Sequence, residues 1–390
     1  MISVEEAKRI IMARVERTPS EFMLSHLVNG HYLADDVFSP SAYPLFDMSA
    51  VDGYAVRGEG PWTEVGSIAA GEVLDRTLGP GECARIFTGA RVPETTDRVL
   101  MQEHCSAHDT GVKIIGELPA MGANIRRMSE SVRKDELLLQ HGTRLDAAAI
   151  GLISSVGVAN VEVHAKPLVS IIRTGSEFIG EGEDTGGRIH SSNEWMLIAA
   201  LHAEGCFPEN DPLIASDNMD DLKQALTDAC AEGDLLITTG GASVGDHDLI
   251  KPALEGLGAT IHFHGVAQKP GKPMLFATLN GKPVFALPGN PRAVLVLFYM
   301  YVVPYMRAMQ GATDPWLRSH LLPLLHEVNV KGERAEFRAA VVKDGHVMML
   351  ADEGSHMLRS LVGAEALAYL PAGKRAWSVG DRVQVYFLPV

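Results

Sequence analysis

Two hydrophobic periods organise the chain. Val4, Ala7, Ile10, Ile11 and Val15 recur at helical spacing behind Ser3 and Glu6, a Ser-x-x-Glu capping pair, so the pattern predicts an amphipathic helix at the start. From residue 44 to residue 142 the period shortens. Apolar pieces at 54–56, 84–87, 98–101 and 112–115 are separated by glycine and proline, which predicts short strands in a β-rich module. Residues 146–156 return to helical texture, with Asp146 as N-cap and Gly157 as stop.

Past Lys166, largely apolar strands at 167–173, 234–239 and 283–287 alternate with helical stretches at 193–203 and 216–231. That alternation predicts a parallel α/β sheet, whose ligands sit beyond the carboxyl ends of its strands. The longest apolar run, 293–306, contains Pro304 and falls short of the roughly 20 residues that cross a bilayer, so a buried core helix is expected rather than a membrane span. After Gly311 the pieces at 341–342, 347–350 and 383–387 predict a small C-terminal β-domain.

Composition narrows the function classes. At roughly 100–200 residues per domain, 390 residues make two to four domains. A net charge of −15 without a long basic run argues against nucleic acid as a partner, and any anion site must concentrate its cations locally. Cys83, Cys105, Cys206 and Cys230 form no C-x-x-C pair, so neither a zinc site nor a disulfide framework is expected, and a reducing cytoplasm is the simplest location. The first 17 residues are charged and amphipathic, unlike a signal peptide.

Candidate chemistry follows the predicted strands. Thr239, Gly240, Gly241, Ala242, Ser243, Val244, Gly245, Asp246, His247 and Asp248 combine glycines that turn backbone N–H groups toward an oxyanion with hydroxyl donors and two carboxylates. Anion donors beside carboxylates suit a metal-bridged phosphate, though a tight structural turn has the same look. Pro288, Gly289, Asn290 and Pro291 form a strand-to-helix turn, with Asn290 in the cap position and Pro291 at the first helical residue, leaving N–H groups for an anion. Lys269, Pro270, Gly271, Lys272 and Pro273 place two ammonium groups in a stiff loop between those turns in sequence.

These motifs, in this order, resemble the molybdopterin molybdenumtransferase family, the MoeA proteins and the E domain of gephyrin. The likeness also includes residues 49–56, residues 85–90 with Pro93, Asp97 and Glu103, Thr174 to Glu177, Asn193, residues 336–338 and residues 354–357. The resemblance implies a multidomain α/β plus β fold: a central MogA-like α/β molybdopterin-binding domain at 166–312, a β-rich lid domain at 44–140, a C-terminal β-barrel-like domain at 313–390, and a discontinuous N-terminal dimerisation domain at 1–43 and 141–165. It implies a homodimer in which the α/β domain of one subunit faces the β-rich domain of the other. It also implies adenylylated molybdopterin and molybdate as substrates, Mg²⁺ as metal, and molybdoenzymes or other cofactor-synthesis proteins as partners. Carried over residue by residue, the catalytic candidates are Asp52, Thr88, Glu177 and Asp248. The metal candidates are Glu177, Asp217, Asp246 and Asp248. Gly240, Gly241, Ser243, Gly245, Lys269, Lys272 and Pro288 to Pro291 are the substrate contacts.

The chain departs from the family at four places. Ser131, Ser176 and Ser191 stand where acids are usual, and Arg292 stands where a small or apolar residue is usual. Three acids fewer and one cation more are expected to weaken divalent-metal binding and favour a bare anion. They keep two alternatives open beside the transferase: a non-catalytic pterin carrier or chaperone, and a nucleotide pyrophosphatase.

Overall fold

In a computed structural model, the protein is described over residues 1–179, 186–208, 210–241, 249–351, 354 and 357–389. Ser3 caps the first helix, Val4–Met12, by accepting the Glu6 N–H at 3.1 Å. The helix stops at Ala13, so Val15 lies beyond it. Its Val4, Ala7 and Ile11 are buried in a core shared with the α/β sheet and the C-terminal strands. The strand pairs that follow join distant residues: Ser20–Leu24 with Asn160–His164, and Val37–Phe38 with Leu137–Leu139. Val28, Leu33, Leu145, Ile153 and Val163 close a small core beneath them, over the Asp146-capped helix Ala147–Ser155.

The β-rich region is a six-stranded sheet ordered Arg98–Met101, Gly53–Val56, Glu82–Ile86, Trp62–Ile68, Gly111–Ile114, Cys105–His108. Four of these strands were expected from the sequence. Trp62–Ile68 escaped because Gly66 and a register shift between Glu64 and Ser67 break its alternation. Gly53 is required where strands press together: a Cβ there would stand 1.7 Å from the Leu100 carbonyl oxygen.

The central sheet runs Leu213–Ala215, Val169–Thr174, Leu235–Thr239, Lys282–Leu287, Leu275–Leu279, Thr260–His264. The first four strands are parallel, as expected. The last two are joined by antiparallel pairing, with Leu275–Leu279 running against the rest, an addition that the parallel reading did not include. The reason is local: Asn280 (φ 50°) and Gly281 (φ 83°) make a tight hairpin turn into Lys282–Leu287. Asn193–Ala203, Met219–Glu232 and Ile250–Gly256 are helices of this region. The apolar run lies in a helix from Pro291 to Met309, with a π-helical stretch, Phe298–Val302, just ahead of Pro304, which has no N–H to give to the preceding turn. At 19 residues it is long and apolar enough to cross a membrane by length and composition, yet 83% of its apolar window is buried inside the protein. It is a core helix.

The C-terminal sheet is ordered Gln268–Lys269, Ala335–Lys343, Ala366–Leu370, Arg382–Phe387, Ser319–Pro323, with His346–Met349 paired to Ala335–Lys343. Its first strand is a loan from the central region, and the register sets Lys269 against Glu336.

Candidate functional site

The four parallel strands end at Thr174, Ala215, Thr239 and Leu287, hence on one rim of the sheet. Leu275 pairs with Ala286, so the antiparallel strand Leu275–Leu279 begins where its neighbour ends. This brings the lysine loop, residues 269–273, to the same rim as the glycine turns. Val169–Thr174 has the next strand of the sequence on one side and Leu235–Thr239 on the other. The crevice between these two strands is therefore the topological switch point, where α/β sheets receive ligands.

Close backbone approach builds the rim. Gly240 donates its N–H to the Leu287 carbonyl at 3.2 Å, and a Cβ on it (φ +88°) would lie 2.7 Å from the Thr174 carbonyl oxygen. Gly241 (φ +61°) leaves 3.1 Å to Thr174 Oγ1 and Ile250. A Cβ on Gly289 would come within 3.7 Å of Gly240. The loops after three strands therefore touch, and only glycine fits at the first two positions.

Two adjoining cavities open there. One of about 540 Å³ is lined by Glu177, His190, Asn193, Gly271 and the run Pro288, Gly289, Asn290, Pro291. The other, about 500 Å³, is lined by Lys269, Lys272, Asn290 and Arg334. Gly271, Pro273 and Asn290 belong to both. The structure therefore brings together Glu177, both lysines and the Pro288–Pro291 turn. Asn290 occupies the cap position, but its side chain makes no cap hydrogen bond. Asn193 is a further rim residue to which sequence reasoning gave no role. Its Nδ2 donates to the Gly289 carbonyl at 2.9 Å, while among the described residues its buried Oδ1 has no partner, as is true of Thr239 Oγ1.

The two lysines differ. Lys269 Nζ stands 3.8 Å from Glu336, a buried acid that Arg338 also holds at 2.6 Å. Lys272 is exposed and, among the described residues, has no carboxylate within 4 Å.

Two of the three serines that replace acids satisfy acids that remain. Ser176 gives its N–H at 2.9 Å and its hydroxyl at 2.6 Å to Asp217, and Ser191 donates its hydroxyl to Glu194, which also pairs with Arg173 at 2.9 Å. A Cβ on Gly175 (φ +122°) would sit 2.1 Å from Glu177 Oε2, so that carboxylate folds back over a glycine. Ser131 lies on the surface, bonded through its N–H to the Tyr43 carbonyl at 3.1 Å. Arg292 is the correction among the departures. It was expected to add a cation for an anion, but it is 1% exposed, lines neither cavity, and donates to Ser360 at 2.6 Å. It ties the core helix to the C-terminal region.

Glu177 and Asp217 follow adjacent strands and present hard oxygen donors of the kind Mg²⁺ takes one or two at a time, alongside phosphate and water. Among the described residues no group of three or more His, Cys, Asp or Glu gathers as a metal site. Ser243, Gly245, Asp246 and Asp248 lie outside the described residues.

Asp52 and Thr88 are brought together, but elsewhere. Asp52 Oδ1 accepts the Thr88 N–H at 2.8 Å and its hydroxyl at 2.7 Å. Those bonds, with Arg85 nearby, hold the Asp52 carboxyl below its usual value. Arg85 lies 5.0 Å over the Tyr54 and Phe87 rings. Neither Asp52 nor Thr88 lines the rim cavities.

Three family models match the chain in succession: MoeA N-terminal region (domain I and II) over residues 2–157, Probable molybdopterin binding domain over 170–308, and MoeA C-terminal region (domain IV) over 322–388. The chain is 34% identical to a molybdopterin molybdenumtransferase of Nostoc sp., over 100% of this chain and 94% of the relative. It is 30% identical to one of Haemophilus influenzae, over 99% and 98%. The crystal structure of a molybdopterin biosynthesis moeA protein from Pyrococcus horikoshii OT3 superposes with a TM-score of 0.82 at 25% identity, over 100% of both chains.

Proposed function

Because this chain belongs to the MoeA family of molybdopterin molybdenumtransferases, we propose that it inserts molybdate into adenylylated molybdopterin and releases AMP, completing molybdenum cofactor synthesis. The observation that carries this reading is the rim itself. Glu177, Lys269, Lys272, Asn193 and the Pro288–Pro291 turn line adjoining cavities at the end of the sheet that matches the molybdopterin-binding model.

Each group has a physical task. Lys272 offers an unneutralised charge to the pyrophosphate, and Lys269 a charge already shared with Glu336. The free oxygen of Asn193 is placed to accept an N–H from the pterin, since a buried acceptor without a partner costs about 1–3 kcal/mol until one arrives. The backbone N–H groups of the glycine and Pro-Gly-Asn-Pro turns hold oxyanions as the bond to AMP breaks. Glu177 orients the attacking oxygen from within the larger cavity. Mg²⁺ would be held by Glu177 and Asp217, with Asp246 and Asp248, and withdraws charge from the pyrophosphate when bound. Gly240, Gly241, Ser243 and Gly245 serve as further substrate contacts.

Asp52 and Thr88 complete the site from the β-rich domain of a second copy in a homodimer, built on the four domains 1–43 with 141–165, 44–140, 166–312 and 313–390. Asp52, a weakened base, serves there as a fixed negative charge rather than a proton acceptor. We place the protein in the cytoplasm, where molybdoenzymes or cofactor-synthesis proteins would meet it.

The test mixes the protein with adenylylated molybdopterin, Mg²⁺ and molybdate and measures AMP. Release that requires molybdate is expected, and Asp248→Asn should abolish it with the fold intact. Nucleotide hydrolysis without molybdate, or tight pterin binding without AMP release, would replace this reading with a pyrophosphatase or a carrier.

A further inference from the structure

A cavity of about 850 Å³ lies away from the rim, where the first helix, the Tyr32–Arg144 bridge, the core helix and the C-terminal sheet meet. None of its residues lines the rim cavities. We propose that it is a second anion site, built for a compact phosphate-bearing anion. Lys8, Arg144, Arg307 and Arg318 line it against one acid, Asp314, in a chain whose net charge is −15. Arg307 is engaged by Glu204 at 2.9 Å. Among the described residues, Lys8, Arg144 and Arg318 have no carboxylate within 4 Å. Asp314 is exposed and accepts the Trp316 N–H at 3.2 Å.

Geometry favours a compact anion over a stacked base. Lys8 Nζ lies 4.8 Å from the Trp316 ring centre and 4.7 Å from that of Tyr386, so the ammonium occupies the ring faces a base would need. Burial pushes this ammonium down to about 8. An arriving anion would offset the cost of keeping that charge half-buried. The cavity is also preformed. Gly142 (φ +74°) packs so closely on the next region that a Cβ would stand 2.3 Å from Thr313 Oγ1, which fixes the segment bearing Arg144 against the one leading to Trp316 and Arg318.

Calorimetric titration of the full chain with inorganic pyrophosphate, and separately with ADP, tests this. Lys8→Met and Arg144→Gln should each weaken pyrophosphate about tenfold or more, as expected for a lost charge-assisted contact. Arg144 is exposed, so its variant keeps the test informative if Lys8→Met fails to fold. Lys272→Ala, at the rim, should leave this binding event in place. The proposal is overturned if pyrophosphate does not bind, if both junction variants bind it like the parent while Lys272→Ala does not, or if ADP binds far tighter than pyrophosphate. Each of these results is independent of whether AMP is released at the rim.

Discussion

The rim of the α/β sheet and the face of the β-rich sheet both carry candidate chemistry, and they carry it in opposite ways. At the rim, polar groups are left open: among the described residues, Lys272 has no acid within 4 Å, and Asn193 Oδ1 and Thr239 Oγ1 are buried without partners. On the β-rich face the key group is already satisfied, since Asp52 takes two hydrogen bonds from Thr88. The rim is suited to receive a ligand. The other face is suited to hold one charge in one place, because a carboxylate bonded in this way stays ionised.

Backbone changes should break the comparison most strongly. Gly53→Ala drives a methyl into the Leu100 carbonyl and should destabilise the β-rich sheet by about 3 kcal/mol, read as a lower denaturation midpoint. Gly240→Ala meets both a positive φ and the Thr174 carbonyl. It should cost about 1–2 kcal/mol and close the rim, so that calorimetry shows pterin binding lost with only a small drop in midpoint.

Charge changes should sharpen it. Lys272→Ala is expected to weaken the adenylylated substrate about tenfold at unchanged stability, whereas Lys269→Ala should weaken it only a few-fold, because Glu336 already screens that ammonium. Equal losses from the two would show that the Glu336 pair does not set their roles. Ser176→Asp places a second acid beside Asp217 and should lower the Mg²⁺ concentration needed for half-maximal AMP release. An unchanged Mg²⁺ dependence would remove Asp217 from the metal set.

The smallest effect concerns Asp52. Its folded carboxyl is lowered, so its contribution to stability is complete above the ordinary aspartate value of 3.8 and is lost only as pH falls through the lower folded value. No change from this group is therefore expected between pH 5 and 8. Thr88→Val removes one of its two donors and should move the carboxyl upward toward the ordinary value, measurable by carbon-13 titration.

Much of this was legible because the signals are local. Ser3 and Asp146 cap the helices they announce, and the helix Asn193–Ala203 has the bounds its periodicity sets. The two strands that join the central sheet by antiparallel pairing were not anticipated, although Asn280-Gly281 between apolar runs is a hairpin signal that was present. Arg292 was misread because its residue type says cation, while its surroundings make it a buried strut to Ser360. Asn193 stood inside a matched motif, yet only its unpartnered oxygen points to a task.

The sequence by itself determined those helices, strands and turns whose periodicity, capping and glycine conformations act over a few residues. Only the tertiary structure decided which turns share a rim, that Glu336 screens Lys269 and not Lys272, and that residues as distant as Lys8, Arg144 and Arg318 line one cavity. Those outcomes depend on strand order and register between segments far apart in the chain, and no local pattern encodes such pairings.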